Sequence, residues 1–417
     1  MINKHVLNNG VRIIIEKMPS VRSVSLGVWV GTGSKYETEK NNGISHFIEH
    51  MLFKGTQTKN AKEIAESFDS IGGHVNAFTS KEYTCYYAKV LDEHFDIALN
   101  VLADMFFNST FDPIELNKEK KVVIEEINMY EDTPDDLVHD LIAEASYGNH
   151  PLGYSILGTE ENLNRFTRED VIQYISQHYL PENTVITISG NVSETILEKV
   201  ERKFSFFSNK IQENIVPLPT FLGSQVVRQK TTEQAHLCLS FPGYAVGDSK
   251  LYPLILLNNI LGGSMSSRLF QEIREERGLA YSVFSYHSSF KDSGLFTIYA
   301  GTAPHQLDEV FSIITENIQK VKDEGITEGE LNKGKEQLKG SLMLSLESTN
   351  SRMSRLGKNE LLLGYHISLD QMIQKINEIN LEDIKKVSHD LFSQPLALSM
   401  VSPKDQLPKG YRRNLFV

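Results

Sequence analysis

Residues 46–50 read His-Phe-Ile-Glu-His. At 3.6 residues per turn, positions i and i+4 share a face, so in a helix His46 and His50 stack and can offer ring nitrogens to one metal ion. Glu49 borders that face and can reach a water on the same ion. Two imidazoles and a carboxylate in this pattern suit a hydrolytic centre, with zinc on the histidines and Glu49 as general base. Ile44, Phe47, Ile48, Met51 and Leu52 are apolar at helical spacing, which predicts a buried helix. Imidazoles and a carboxylate on a buried helix need partners, and a metal supplies them.

Catalytic zinc usually takes three protein ligands and keeps a position open for water. With only two cysteines, Cys85 and Cys238, a carboxylate is the natural third donor. The stretch IELNKEKKVVIEEINMYED has an apolar seam at Leu116, Val123 and Tyr130, with Ile127 beside it. Glu119 and Glu126 fall between the seam residues and point inward, while Glu125 points to solvent. Two carboxylates on one seam ask for a cation. Glu126 is assigned as the third ligand, and Glu119, two turns earlier, as the partner that orients a ligand histidine. On the residues alone, pairing of Glu119 and Glu126 with Lys or Arg is an equal alternative. The His-x-x-Glu-His order inverts the HExxH zinc motif.

The elements that must carry these residues follow from local pattern. HVLNNGVRIIIEK reads as strand, Asn-Gly turn and strand, and SVRSVSLGVWVGTG as a further strand ending in a glycine turn. The segment VGTGSK lacks the Gly-Lys-Ser/Thr of a phosphate loop and is read as a turn. HVNAFTSKEYTCYYAKV reads as two strands turning near Ser80-Lys81, followed by the helix HFDIALNVLADMFF. NTVITISGNVS is another strand. Beyond a proline-containing stretch near 205–225 the order recurs: HLCLSFPGY as strand, YPLILLNNILGG and SSRLFQEIREE as helices, AYSVFSYHSS and GLFTIYAG as strands, DEVFSIITENIQKV as helix. ELNK opens a long helix at 115 and again at 330, an offset of 215 (330 − 115). We therefore expect an α+β chain of two similar halves, each a mainly antiparallel sheet packed with helices, related by internal duplication. The expected boundaries are a metal-binding domain at 1–210, a linker at about 211–221 and a second domain at 222–417. At the 215 offset Glu119 maps to Gly334 and Glu126 to Ser341, and LLNNILGG has no histidine, so one metal site is expected, in the first half.

Composition sets limits. The chain has 417 residues, 42 Lys+Arg against 54 Asp+Glu, and a formal charge of −12. No basic patch offsets this charge, so nucleic acid and anionic membrane are not expected partners. No apolar run of about 18 residues occurs, so no transmembrane span is expected. The N-terminal stretch has no secretory pattern and the two cysteines make no disulfide framework, so a cytoplasmic location is expected.

These residues resemble the pitrilysin family of inverted-zincin metallopeptidases, most closely the subunits of mitochondrial processing peptidase and their bacterial homologues. The likeness extends over essentially the whole chain. In that family the third ligand is a glutamate about 76 residues past the second histidine, and Glu126 lies at that spacing (126 − 50). A glutamate seven residues before the ligand is also usual, and Glu119 fits. The resemblance implies that Arg274 and Tyr281, in SSRLFQEIREERGLAYSV, bind the substrate backbone and stabilise the developing oxyanion. It implies that Asn76 and Ala77 present an edge strand to an extended peptide. Asp136 and Asp140 match acidic residues that help bind an arginine near the cleavage point. The resemblance thus implies a zinc metalloendopeptidase with one Zn2+ per chain. Its substrate would be peptide or unfolded polypeptide, enclosed in a chamber formed by a dimer. Because one chain carries both the metal motif and the Arg-Tyr pair, a homodimer is expected. The competing expectation is a structural or partner subunit of the same fold without catalysis.

Overall fold

The strand Arg12–Lys17 shows how this chain builds a layer. Ile13 and Ile15 enter one apolar cluster, whereas Ile14 enters another with Trp29 and Met353, so the run is apolar because both of its faces are covered. The computed structural model describes residues 2–208 and 216–416. Among them, eleven strands form two sheets: β1 Ile2–Val6, β2 Arg12–Lys17, β3 Ser23–Val30, β4 His74–Thr79, β5 Thr84–Leu91, β6 Thr184–Gly190, β7 Gln225–Gln229, β8 Ala235–Pro242, β9 Ala280–Ser289, β10 Gly294–Thr302 and β11 Ala397–Ser402.

The first sheet has the order β1-β2-β6-β3-β5-β4 and the second β7-β11-β8-β10-β9. Apart from the added β1, the two share one topology. Each contains one parallel pair, β2 with β6 and β7 with β11, and is otherwise antiparallel. The expected α+β fold of two similar halves is therefore what the chain adopts.

The compact units follow a different partition from the halves of the chain. One comprises Met1–Asn128, Ser155–Val216 and Ser345–His366, and the other Met129–Tyr154, Pro217–Leu344 and Ile367–Val417. The helix Thr349–Leu362 covers a face of the first sheet at β2, β3 and β6, and the helix Pro134–Tyr147 covers a face of the second at β7, β8 and β11. Each sheet thus takes the cover for its second apolar face from the other half of the sequence. Residues 211–215 of the expected linker lie outside the described residues. Among the described residues, no helix is long and apolar enough to cross a membrane.

Candidate metal centre

The His46 helix spans Ile44–Met51, and its N-terminus is held by a buried carboxylate. Glu37 accepts the Gly43 and Ser45 N–H groups, each at 2.8 Å, and the Asn42 side-chain amide at 2.9 Å. These bonds satisfy donors that a helix start leaves open, and negative charge there interacts favourably with the positive end of the helix dipole. Burial pushes the Glu37 carboxyl up, and the backbone hydrogen bonds partly offset that. Ile44, Phe47, Ile48 and Met51 enter the core, as expected.

The second helix, Pro113–Glu131, begins at Asp112, which accepts the N–H groups of Ile114 at 2.8 Å and Glu115 at 3.3 Å. Leu116, Glu119 and Val123 are buried, Glu126 and Ile127 are half-buried, and Glu125 is exposed. Tyr130 is exposed instead of continuing the seam. A straight helix drifts about 20° per heptad from a seven-residue repeat, and this helix ends one residue later, at Glu131.

His46, His50 and Glu126 come together with one donor atom from each lying within 4.8 Å of the others. Glu126 Oε2 is 3.8 Å from His46 Nε2 and 3.5 Å from His50 Nε2. Zinc–ligand bonds of about 2.0–2.1 Å in a tetrahedron require donors about 3.4 Å apart, so these distances lie within a few tenths of an ångström of a zinc-sized site. The donor types also fit: two imidazoles and one carboxylate are an established zinc set. Burial, helped by His50, pushes the His46 imidazole down to about 3, which keeps the ring uncharged at neutral pH, with one nitrogen free to act as a donor to a metal.

Two further carboxylates flank this set. Glu119 Oε1 lies 2.8 Å from His50 Nδ1, which leaves Nε2 facing Glu126. Burial is the largest influence and opposes a charged His50, but the Glu119 hydrogen bond together with the negative charges of Glu119, Glu126 and Glu49 outweighs it, and the net shift is upward. Burial works against ionised Glu119 as well, yet His50 and Lys54 pull its carboxyl below the usual range. Glu49 receives a hydrogen bond from the Thr79 hydroxyl at 2.5 Å. Burial raises Glu49 above an ordinary carboxyl, with Thr79 and His50 as partial offsets. A carboxylate of raised basicity is suited to take up a proton near neutral pH.

The remaining candidates are placed as follows. Asn76 and Ala77 lie on β4, an edge strand of the first sheet, and the Ala77 N–H donates to Asn76 Oδ1 at 2.8 Å. Arg274 and Tyr281 belong to the other unit. There Phe270–Glu276 winds as a π-helix where an ordinary helix was expected, and the Arg274 guanidinium lies 4.9 Å from the Phe270 ring centre and 4.6 Å from that of Tyr281. Tyr281 is 77% exposed. Asp136 and Asp140 lie on the helix Pro134–Tyr147, also in that unit, with Asp136 exposed. Sequence reasoning missed Thr79, Lys54 and Glu37. Lys54 alone left a signal, continuing the four-residue spacing of His46 and His50.

Two units of one topology, with a two-histidine, one-glutamate donor set found, among the described residues, in the first alone, define the class of duplicated α+β proteins with one candidate metal-site half. Residues 12–160 match the family described as Insulinase (Peptidase family M16), and residues 165–338 match the Peptidase M16 inactive domain. The chain belongs to peptidase family M16. It is 58% identical to the uncharacterized zinc protease YmxG of Bacillus subtilis over 408 residues, covering 98% of this chain and 100% of the relative. It is 40% identical to the uncharacterized zinc protease SCO5738 of Streptomyces coelicolor, covering 96% of this chain and 90% of the relative. A crystal structure of a protease from Helicobacter pylori shares the fold, with a TM-score of 0.91 at 23% identity over 97% of this chain and 99% of that one. So does a chain of complex III2 from Candida albicans, with a TM-score of 0.85 at 21% identity over 99% of each.

Proposed function

We propose that this chain is a zinc-dependent metalloendopeptidase that hydrolyses unfolded peptides or precursor segments, with Glu49 as general base. The observation that carries the reading is the convergence of His46, His50 and Glu126 within 4.8 Å beside a half-buried Glu49. The relatives named zinc proteases support it. His46, His50 and Glu126 would hold one zinc ion per chain. When bound, zinc supplies a Lewis acid that makes water more acidic and polarises a carbonyl.

The chain's own groups supply the rest. Glu49 takes a proton from the attacking water and returns it to the leaving nitrogen. Thr79 fixes the carboxylate that does this, and Glu119 fixes the His50 tautomer. Arg274 and Tyr281, both hydrogen-bond donors, are assigned to the substrate backbone and the developing oxyanion. The open edge at Asn76 and Ala77 suits addition of an extended peptide as a further strand, and Asp136 and Asp140 suit a basic side chain on it. In this reading the enzyme is a cytoplasmic homodimer that encloses its substrate in a chamber.

The test compares wild type with Glu49→Gln for bound metal and for turnover of an unstructured, mildly basic peptide. We expect one zinc per chain in both, and a rate about 10²–10⁴-fold lower in the variant, the usual contribution of a general base. Metal in both with turnover in neither would favour the partner-subunit reading. Wild type prepared without chelator that binds no zinc would sink the proposal.

A further inference from the structure

We propose that Lys54 is a positioning residue of the metal centre: it fixes Glu119, and through Glu119 it holds His50 with Nε2 turned toward the ion. The inference rests on the metal reading above and extends it to a residue outside the motif. Lys54 follows the His46 helix in a turn closed by its own N–H on the Met51 carbonyl at 3.2 Å. Its ammonium lies 2.7 Å from Glu119 Oε2, while Glu119 Oε1 lies 2.8 Å from His50 Nδ1. Each oxygen of the carboxylate is therefore committed to a different donor, and its plane has one orientation that serves both.

Burial separates this pair from an ordinary surface contact. The Glu119 side chain is 5% exposed and that of Lys54 28%, against 59% and 82% for the Glu66–Lys62 pair nearby in sequence. Exposed pairs hold side chains weakly, whereas a buried carboxylate that loses its ammonium keeps an oxygen with neither water nor a cation beside it.

The experiment measures zinc affinity on the full chain by competition with a chromophoric chelator. Lys54→Met keeps the aliphatic stem and removes the donor, and we expect zinc to dissociate about 10- to 100-fold more readily, the usual effect of losing an outer partner of a metal ligand. Lys54→Arg returns a donor to Glu119 and should recover most of the affinity. In a Glu119→Gln background Lys54→Met should add little, because the pair it breaks is already gone. A purely structural role would lower the melting temperature of the metal-free protein, leave the affinity of the folded fraction unchanged and add to Glu119→Gln in full. That outcome overturns the proposal and leaves the metal reading intact. If Lys54→Met does not accumulate folded, Lys54→Leu, which also removes the donor, decides by the same competition, weakened binding supporting the proposal and unchanged binding overturning it. Failure of wild type to bind zinc overturns both readings together.

Discussion

The two units place a long helix against a short one in the same order, and they treat the contact in opposite ways. In the first unit Glu119 of the helix Pro113–Glu131 meets His50 of the helix Ile44–Met51 at 2.8 Å. In the second, the residue at the same offset is Gly334, on the helix Glu328–Ser345. A Cβ there would lie 2.7 Å from Leu256 Cδ1 and 3.2 Å from Ile260 Cγ1 of the helix Leu251–Leu261. Where one unit has two histidines four residues apart, the other has Leu256 and Ile260, again four apart. Polar partners need room and a counter-charge, whereas aliphatic ones are best served by close approach. The fold therefore does not require the histidine–glutamate donor set. One unit carries it, and the other brings its two helices into close aliphatic contact at the same place, in keeping with the inactive-domain description matched by residues 165–338.

The strongest way to break this comparison is to write the first unit's residue into the second. Gly334→Glu places a carboxylate where a single added carbon would already stand 2.7 Å from Leu256 Cδ1, against the aliphatic side chains of Leu256 and Ile260. Overpacking and an unpaired buried charge together should cost about 3–5 kcal/mol. The measurement is the denaturant midpoint of the full chain followed by a probe in the second unit. A midpoint unchanged from wild type would mean that the closed contact is not what distinguishes the units.

This contrast was half legible in the sequence. The His46 helix, its buried face and the loss of Glu119 at Gly334 could be read because helical period and a 215-residue offset are local or repeating signals. Glu126 could be reached from the seam of its own helix, though spacing alone left ion pairing equally open. Thr79 and Glu37 were not legible as site residues, since each acts through a contact that no period encodes, and Lys54 left only one more four-residue step after His50. The exchange of the helices Pro134–Tyr147 and Thr349–Leu362 between units was hidden for a related reason. An amphipathic pattern says that a helix needs an apolar surface, and two sheets of the same topology both offer one. Tyr130 was misplaced on the buried seam because a seven-residue repeat was extended to the last turn of a straight helix.

Those exchanged helices supply a second comparison. On the first sheet the helix Thr349–Leu362 approaches so closely that a Cβ on Gly357 would stand 2.2 Å from Trp29 Cε2. The indole cannot easily yield, because its Nε1 donates to Thr187 Oγ1 at 2.7 Å inside the core. On the second sheet the covering helix is tied by a hydrogen bond, from Ser399 Oγ to the Val138 carbonyl at 2.7 Å. Gly357→Ala should destabilise the first unit by about 2 kcal/mol through overpacking. Ser399→Ala should cost the second about 1 kcal/mol, the usual net loss of one such bond. Thermal unfolding of each variant tests the ranking, and equal losses would show that the close approach at Gly357 matters no more than a single hydrogen bond.

The finest comparison uses the repeated tetrapeptide. Glu115 and Glu330 open corresponding helices from the same Glu-Leu-Asn-Lys sequence, yet their surroundings differ. Glu115 pairs with Lys118, whose side chain is 64% exposed. Glu330 makes two bonds to the Arg268 guanidinium, at 2.7 and 2.8 Å, and accepts the Thr327 N–H at 2.8 Å. Burial opposes the charge on Glu330, but Arg268 and Thr327 outweigh it and bring the carboxyl down to about 2. The folded state then binds fewer protons than the unfolded chain between that value and an ordinary carboxyl. Its contribution is fully present above about pH 4.5 and is lost as the pH falls toward 2. Allowing for solvent at the rim of the pair, the contribution is about 1–2 kcal/mol. Glu330→Gln can still cap the helix but cannot form the ion pair, so it should lose about that much at pH 7 and roughly half of it or less at pH 3. Glu115→Gln should stay within roughly 0.5 kcal/mol at both pH values. Urea unfolding of the two variants at pH 7 and pH 3 reads the difference directly, and a Glu330→Gln deficit that persisted undiminished at pH 3 would show that the carboxylate's charge is not what stabilises the second unit.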